Sequence, residues 1–394
     1  MYSLNKKNIF VVIDSIFPQK DPFAFRNAEI NEYIKIIKNF KAYSMPIIYP
    51  DNDAWFKHSY GVSKLMYKDN KKGYTRHYPK NKKSIEYLDI NKKYKFSLAY
   101  TFFLGETYTL LPYLESNEIP FVFVLYPGGC FGLNNIGSDK MLKKIFDSPY
   151  FKGVITTQKI TTDYLIQNKL CDASKVEYIY GGFVQFRKND IKQKLIYPTD
   201  KKTFDICFVA AKYSEKGRDK GYDLFIETAK ILSLKIPNIH FHVIGGFNEE
   251  DIDITEIKNK IHFYGYKKPD FLVEFYKSMD IFVSPNRPSE LFQGNFDGFP
   301  LGIDAGYCGV ALFVADELNM NTKYIPGEDI VIISLKPQEI ADDILMYYND
   351  LDRLYMLSYL GGQKTQALFD LDKQISQRIN YFKKFATIEF GKNK

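Results

Sequence analysis

Apolar residues along this chain fall into short runs separated by stretches with helical spacing, and the alternation begins almost at once. Residues 8–14 have the pattern of a buried strand. Residues 24–40 then carry Ile30, Tyr33, Ile34 and Ile37 on one helical face. Strands are predicted at 96–103, 121–126, 154–157 and 176–180, with helices over 106–116 and 161–168 between them. Strands separated by helices at this rhythm predict a parallel sheet covered on both faces. After residue 203 the pattern restarts: strands at 204–210, 240–245, 261–264, 281–284 and 311–314, with helices over 221–234 and 269–279. The tail from 373 to 385 reads as an amphipathic helix.

Two α/β units of this kind predict two doubly wound, Rossmann-like domains facing each other across a cleft. The polar, Lys-rich stretch 187–202 suits a linker. The expected division is therefore an N-terminal domain 1–186, a linker 187–202, a C-terminal domain 203–372 and a helical tail 373–394. The length of 394 residues agrees, at roughly 150 residues per domain. Ligands of such sheets bind at the carboxyl ends of the strands, where strand order reverses.

Charge narrows the chemistry. The net formal charge is only +7, and 47 of the 54 basic residues are Lys. Nucleic-acid readers favour the planar Arg fork, so nucleic acid is not an expected partner. The four cysteines (Cys130, Cys171, Cys207, Cys308) stand far apart with no paired spacing, which fits a reducing cytosol. No apolar run approaches the roughly 18 residues of a membrane span, so a cytoplasmic protein is expected. The five histidines show no metal-ligand spacing. His240 and His242, two apart on one strand, read as residues satisfied by their neighbours. No metal and no bound cofactor are expected.

The first strand is not followed by GxGxxG, and GxxxxGK[ST], HExxH and GxSxG do not occur, which disfavours dinucleotide dehydrogenases and P-loop ATPases. The informative segment is 284–309. A strand ends at Ser284-Pro285, a loop follows, and Asp297-Gly298-Phe299-Pro300 opens a helix, with Pro300 suited to a first turn. Gly298 and Gly302 allow close backbone approach, and free N–H groups at a helix start suit a phosphate. Asp297 and Asp304 bracket the turn. Carboxylates there suit sugar hydroxyls, which donate hydrogen bonds. Phosphate beside hydroxyl recognition describes a nucleotide-sugar pocket.

This segment resembles the donor-site motif of retaining glycosyltransferases of the GT-B fold, of the glycosyltransferase family 4 kind. The family's acidic–Gly–Phe–Gly/Pro stands here as Asp297-Gly298-Phe299-Pro300. Its Glu–Ala–small–x–x–Gly stands as Asp304-Ala305-Gly306-Tyr307-Cys308-Gly309. The resemblance implies that Asp297 holds donor-sugar hydroxyls and Asp304 the ribose, with Gly298, Phe299, Pro300, Leu301 and Gly302 lining the donor. Both acids are Asp rather than Glu, and six residues separate them instead of seven, a shift of roughly 100° on a helix. Upstream, Lys220-Gly221-Tyr222-Asp223-Leu224 resembles the family's Lys–Gly–x–Asp–x–Leu, and Lys212 stands where the family has Arg. Those two cations would hold the diphosphate, with Lys216 a competitor for the place of Lys220. Tyr266, after the strand at 261–264, would touch the base or is an ordinary loop aromatic. Gly128-Gly129 either bring backbone N–H groups to a ligand or form only a tight loop, and Gly105-Glu106 either contact the cleft or cap a helix.

The resemblance implies a retaining, hexosyltransferase-type enzyme. Its donor would be a nucleotide-diphosphate sugar and its acceptor a glycan or a lipid-linked molecule. The setting implied is bacterial surface polysaccharide or glycoconjugate synthesis, without metal. Asp297, Lys220 and Lys212 would be the catalytic residues. The rivals are a catalytically silent GT-B partner subunit and a nucleotide-sugar epimerase of the same fold. Residues 64–95 hold ten Lys and one Arg against three acids, interleaved with tyrosines. They read either as a solvated loop or as a surface for peripheral contact with an anionic membrane at its inner face.

Overall fold

The computed structural model describes residues 9–20, 25–49, 58–184, 187–212, 214–288 and 302–391. It divides into two units, residues 1–185 with 371–394, and residues 186–370.

The first unit is built on seven parallel strands: β1 (Phe10–Asp14), β2 (Lys41–Ser44), β3 (Ile85–Tyr87), β4 (Leu98–Phe102), β5 (Phe121–Leu125), β6 (Phe151–Thr156) and β7 (Val176–Tyr178). Their order is β3-β2-β1-β4-β5-β6-β7. Every residue of β1, β4 and β5 is buried, as a strand covered on both faces requires. The helices are α1 (Phe25–Ile36), α2 (Lys64–His77), α3 (Leu104–Ser116), α4 (Ile136–Phe146) and α5 (Lys159–Gln167).

The second unit has six parallel strands: β8 (Phe204–Val209), β9 (Ile239–Ile244), β10 (Ile261–Phe263), β11 (Ile281–Ser284), β12 (Ala311–Val314) and β13 (Val331–Ile332). Their order is β10-β9-β8-β11-β12-β13. Around them lie α6 (Tyr222–Ser233), α7 (Pro269–Lys277), α8 (Ile303–Tyr307), α9 (Pro337–Tyr348) and α10 (Leu351–Leu368). Helix α6 buries Leu224, Phe225, Thr228, Ala229 and Leu232, the face its spacing marks as apolar.

The chain then returns to the first unit as α11 (Leu371–Phe382). Phe382 packs on Phe10 and Tyr100 with ring centroids 4.9 and 4.8 Å away. Arg378 is fully buried, its Nε 3.6 Å from Glu29 Oε1, and Glu29 also accepts the hydroxyls of Tyr33 and Tyr100 at 2.8 and 2.9 Å. A helix docked by a buried ion pair and two aromatic contacts is part of the first unit's core. The stretch 187–202 is likewise tied into the second unit, where Leu195 N–H donates to Lys277 O at 2.9 Å and Lys201 bridges Asp205 and Asp280 at 2.6 Å.

The loop reading of residues 64–95 holds for 88–95 and is overturned for 64–87, which form α2, a 3-10 turn at Pro79–Ser84 and the edge strand β3, paired with β2. Tyr67, Asn70 and Tyr74, at helical spacing, turn into the core, while Lys64, Lys68, Lys72 and Arg76 face outward. No helix among the described residues is long and apolar enough to cross a membrane.

Candidate functional site

In the second unit the chain leaves β8 toward β9 on one side and reaches β11 on the other. The carboxyl ends of β8 and β11 are therefore the switch point at which such a sheet takes a ligand. Two connections meet there. After β8, a 3-10 turn at Glu215–Lys220 leads into α6 through Gly221, which has φ +70°. A Cβ on Gly221 would stand 2.0 Å from Pro285 O, so only glycine lets this turn close against the loop after β11.

Lys220 ends that turn with only 6% of its surface exposed. Its ammonium lies 4.0 Å from Asp219 Oδ2, and burial lowers it from the ordinary 10.5 to about 8, with Asp219 opposing the shift. Asp219 accepts the Ser214 hydroxyl through Oδ1. Lys216, the competitor, is exposed with φ +55°. Lys212 follows β8 directly and is held 2.5 Å from Asp251 Oδ1, on the loop after β9. Tyr266, beyond β10, is 68% exposed, and its hydroxyl lies 2.8 Å from where a Cβ on Gly246 would stand. An exposed ring over a glycine at the end of β9 is a surface on which a planar group can stack.

Asp304 sits in the first turn of α8, which starts from Gly302 at φ +70°. Burial raises its carboxyl to about 6; burial first, with the Asp304 charge adding to it, also raises the phenol of Tyr276 and the thiol of Cys308. Asp297, Gly298, Phe299, Pro300 and Leu301 lie outside the described residues.

Three groups at this edge were not legible in the sequence: Asp251, Asp219 and Arg287. Arg287, just after β11, forms a bidentate pair with Asp223 in the first turn of α6, at 2.7 and 3.0 Å. Its scarcity was a signal, since the chain has seven Arg among 54 cations.

The same edge of the first unit is closed by its own charges. Arg26 bridges Asp14 Oδ2 at 2.6 Å and Glu106 Oε1 at 2.7 Å, and all three are buried. The N–H groups of Ile16 and Phe17 donate to Asp14 Oδ1 at 2.8 and 2.6 Å, and that of Ser15 to Glu106 Oε2 at 3.1 Å. Burial and Asp14 push the Glu106 carboxyl up to about 7 against the pull of Arg26. Glu106 is thus an ion-paired residue rather than a simple cap. Gly128 and Gly129 form a tight turn: Phe131 N–H donates to Gly128 O at 3.0 Å, and Gly105 N–H to Gly129 O at 2.9 Å. A Cβ on Gly129 would strike the Phe103 ring at 2.6 Å.

The histidines of β9 and β10 are satisfied. His242 contacts Asp205 Oδ1 at 2.8 Å and Tyr264 Oη at 2.9 Å, and His240 contacts His262 at 2.9 Å. Among the described residues, no group of three or more His, Cys, Asp or Glu is placed to hold a metal.

Two doubly wound parallel sheets in one chain define the fold of the GT-B glycosyltransferases, and the solved structures that match it agree. The Anabaena protein HepE in complex with UDP superposes with a TM-score of 0.69 at 13% identity, covering 95% of this chain and 100% of that one. A glycosyltransferase from Rickettsia africae gives 0.67 at 12%, covering 97% and 99%. A sucrose-phosphate synthase from Thermosynechococcus elongatus gives 0.62 at 14%, covering 95% and 98%. Residues 189–358, within the second unit, match the model of the family described as glycosyl transferases group 1. A search of curated proteins gives no match to the chain.

Proposed function

We propose that the chain transfers a sugar, with retention of configuration, from a nucleotide-diphosphate donor to a glycan or lipid-linked acceptor. The observation that carries this reading is the buried Lys220 at the carboxyl ends of β8 and β11, within the segment that matches the group 1 glycosyltransferase family. Negative charge grows on the diphosphate as the glycosidic bond breaks. An ammonium fixed there beforehand stabilises it without reorganisation. Lys212 would add a second cation once the ligand competes with Asp251. Asp304 would accept hydroxyl protons from the ribose and Asp297 from the sugar. Tyr266 would meet the base. Structures of HepE with UDP support a uridine nucleotide as the first ligand to try. With lysines at the diphosphate, no divalent ion is required.

The setting proposed is glycan or glycoconjugate assembly on the cytoplasmic side, with α2 touching an anionic membrane. Leu65 and Met66 are 79% and 54% exposed beside the outward lysines of that helix. One observation favours a second reading, a silent partner subunit. The N–H groups after β1, where a phosphate could be held, are taken by Asp14 and Glu106.

Screening UDP-, GDP-, dTDP- and CMP-sugars for thermal stabilisation and donor hydrolysis tests the proposal. Stabilisation with hydrolysis and a transfer product supports it. An epimerised sugar points to an epimerase instead, stabilisation without any turnover supports the silent subunit, and indifference to all four refutes a donor site.

A further inference from the structure

The geometry points to Arg287 as a positioning residue of the donor site, latching the loop after β11 to the turn that carries Lys220. This rests on the reading of Lys220 as the diphosphate cation. Four hydrogen bonds make the latch. Arg287 N–H donates to Asp219 O at 2.9 Å, and its Nη1 donates to Arg218 O at 3.0 Å. The same Nη1 and Nη2 form the fork on Asp223 Oδ1 and Oδ2 at 2.7 and 3.0 Å. Residues 218, 219 and 223 bracket Lys220 on both sides, so the guanidinium fixes the backbone before and after it.

The turn needs such a fixture. Lys216, Gly217 and Gly221 have φ of +55°, +64° and +70°, and within the turn the Ser214 hydroxyl donates to Asp219 Oδ1 and accepts the Asp219 N–H at 3.3 Å. Left-handed backbone at the non-glycine Lys216 carries a steric cost that contacts from outside the turn help to offset. The contact between Gly221 and Pro285 O brings the two loops together, and Arg287 holds them there. The planar fork meets both oxygens of the Asp223 carboxylate side-on while Nη1 also reaches Arg218 O, a fixed bidentate geometry that a single ammonium does not reproduce.

The latch also bears on the burial of Lys220, whose ammonium has Asp219 of its own turn 4.0 Å away; the charged groups of the neighbouring segments are Arg218 on the turn, the Arg287–Asp223 pair between the loop after β11 and α6, and the Lys212–Asp251 pair after β8. With the latch open, the turn moves outward, Lys220 gains water, and its titration returns toward that of an ordinary lysine.

The test uses the full chain with UDP as the probe, following affinity by calorimetry from pH 7 to 9.5 and melting without ligand. The variants are Arg287→Lys, Asp223→Asn, the exchanged pair Arg287→Asp with Asp223→Arg, and Lys220→Met as reference. Arg287→Lys is expected to melt close to wild type yet bind UDP about tenfold more weakly, as befits a misplaced charged contact. Its affinity should begin to fall at a pH about one unit or more above that of wild type, a shift that a structural pin remote from Lys220 would not produce. The exchanged pair should recover part of the affinity. If Arg287→Lys and Asp223→Asn leave both affinity and its pH profile unchanged while Lys220→Met weakens binding, the latch is overturned and the donor site stands. If Lys220→Met binds UDP as wild type does, or wild type binds none of UDP, GDP, dTDP and CMP, the underlying reading falls and the latch with it.

Discussion

Replacing Lys220 by methionine separates the cost of this lysine from its use. The ammonium is held at about 8 instead of 10.5 because burial disfavours its charge. That difference corresponds to about 3 kcal/mol against the charged form at neutral pH. Methionine keeps the apolar stem and removes the charge, so the protein without ligand should melt at the same temperature or higher. The loss should appear only when a diphosphate is present. A hydrogen bond to a charged group contributes about 1.5–3 kcal/mol, which predicts UDP binding weaker by about 10- to 150-fold. Turnover should fall by about 10²–10³, the range for losing one donor to a developing oxyanion. The sign with pH follows from the lowered value. Ligand binding needs the ammonium, so wild-type affinity holds below about pH 8 and declines above it. Stability without ligand does the opposite, rising between about 8 and 10.5, because the unfolded chain then binds more protons. Calorimetry of both proteins from pH 7 to 9.5 measures this, and the difference between them cancels the ligand's own titration. Lys216→Ala, at the exposed position, should behave as wild type. Equal UDP affinity in Lys220→Met and wild type, or a pH profile shared by both, would refute the reasoning.

Glu29→Ala leaves Arg378 buried without its carboxylate and should cost about 3–5 kcal/mol in urea unfolding of the first unit; a double variant with Arg378→Met should recover most of it, and a cost under about 1 kcal/mol would show the pair to be dispensable. Transfer activity should survive EDTA, and activity lost there but restored by manganese or magnesium would sink the metal-free mechanism. Changing Lys64, Lys68 and Lys72 to Gln should weaken partition onto vesicles rich in anionic lipid by about 100-fold, at about 1 kcal/mol per lysine; unchanged partition would leave α2 as an ordinary solvated helix.

The parts of the fold that were legible are those whose information is local. The run that makes β11 is bounded by Asp280 and Pro285, and the strand begins and ends where the run does. Helix α2 was hidden because its buried stripe of Tyr67, Asn70 and Tyr74 lies among lysines that dominate its composition. Helix α10 carries Gly361 and Gly362 at its middle, residues that read as breakers. They are there because a Cβ at 361 would stand 2.4 Å from Asp329 O, and one at 362 would stand 3.1 Å from Gly309 Cα. The site divides in the same way. Lys220 could be named from its Lys–Gly–x–Asp spacing, whereas Asp251 and Arg287 meet their partners 39 and 64 residues away, where no local pattern reaches. Among 47 lysines, composition selects none. Burial alone does not select one either: Lys194 is also held down to about 8, but it donates to Met279 O. Lys201 is buried between two carboxylates at 2.6 Å, which compensate it and leave it tying 187–202 to the amino ends of β8 and β11. Lys220 stands at the opposite, carboxyl ends of those two strands, beside Asp219. A cation buried at the switch point of a doubly wound sheet is placed where the anionic part of a bound ligand would meet it.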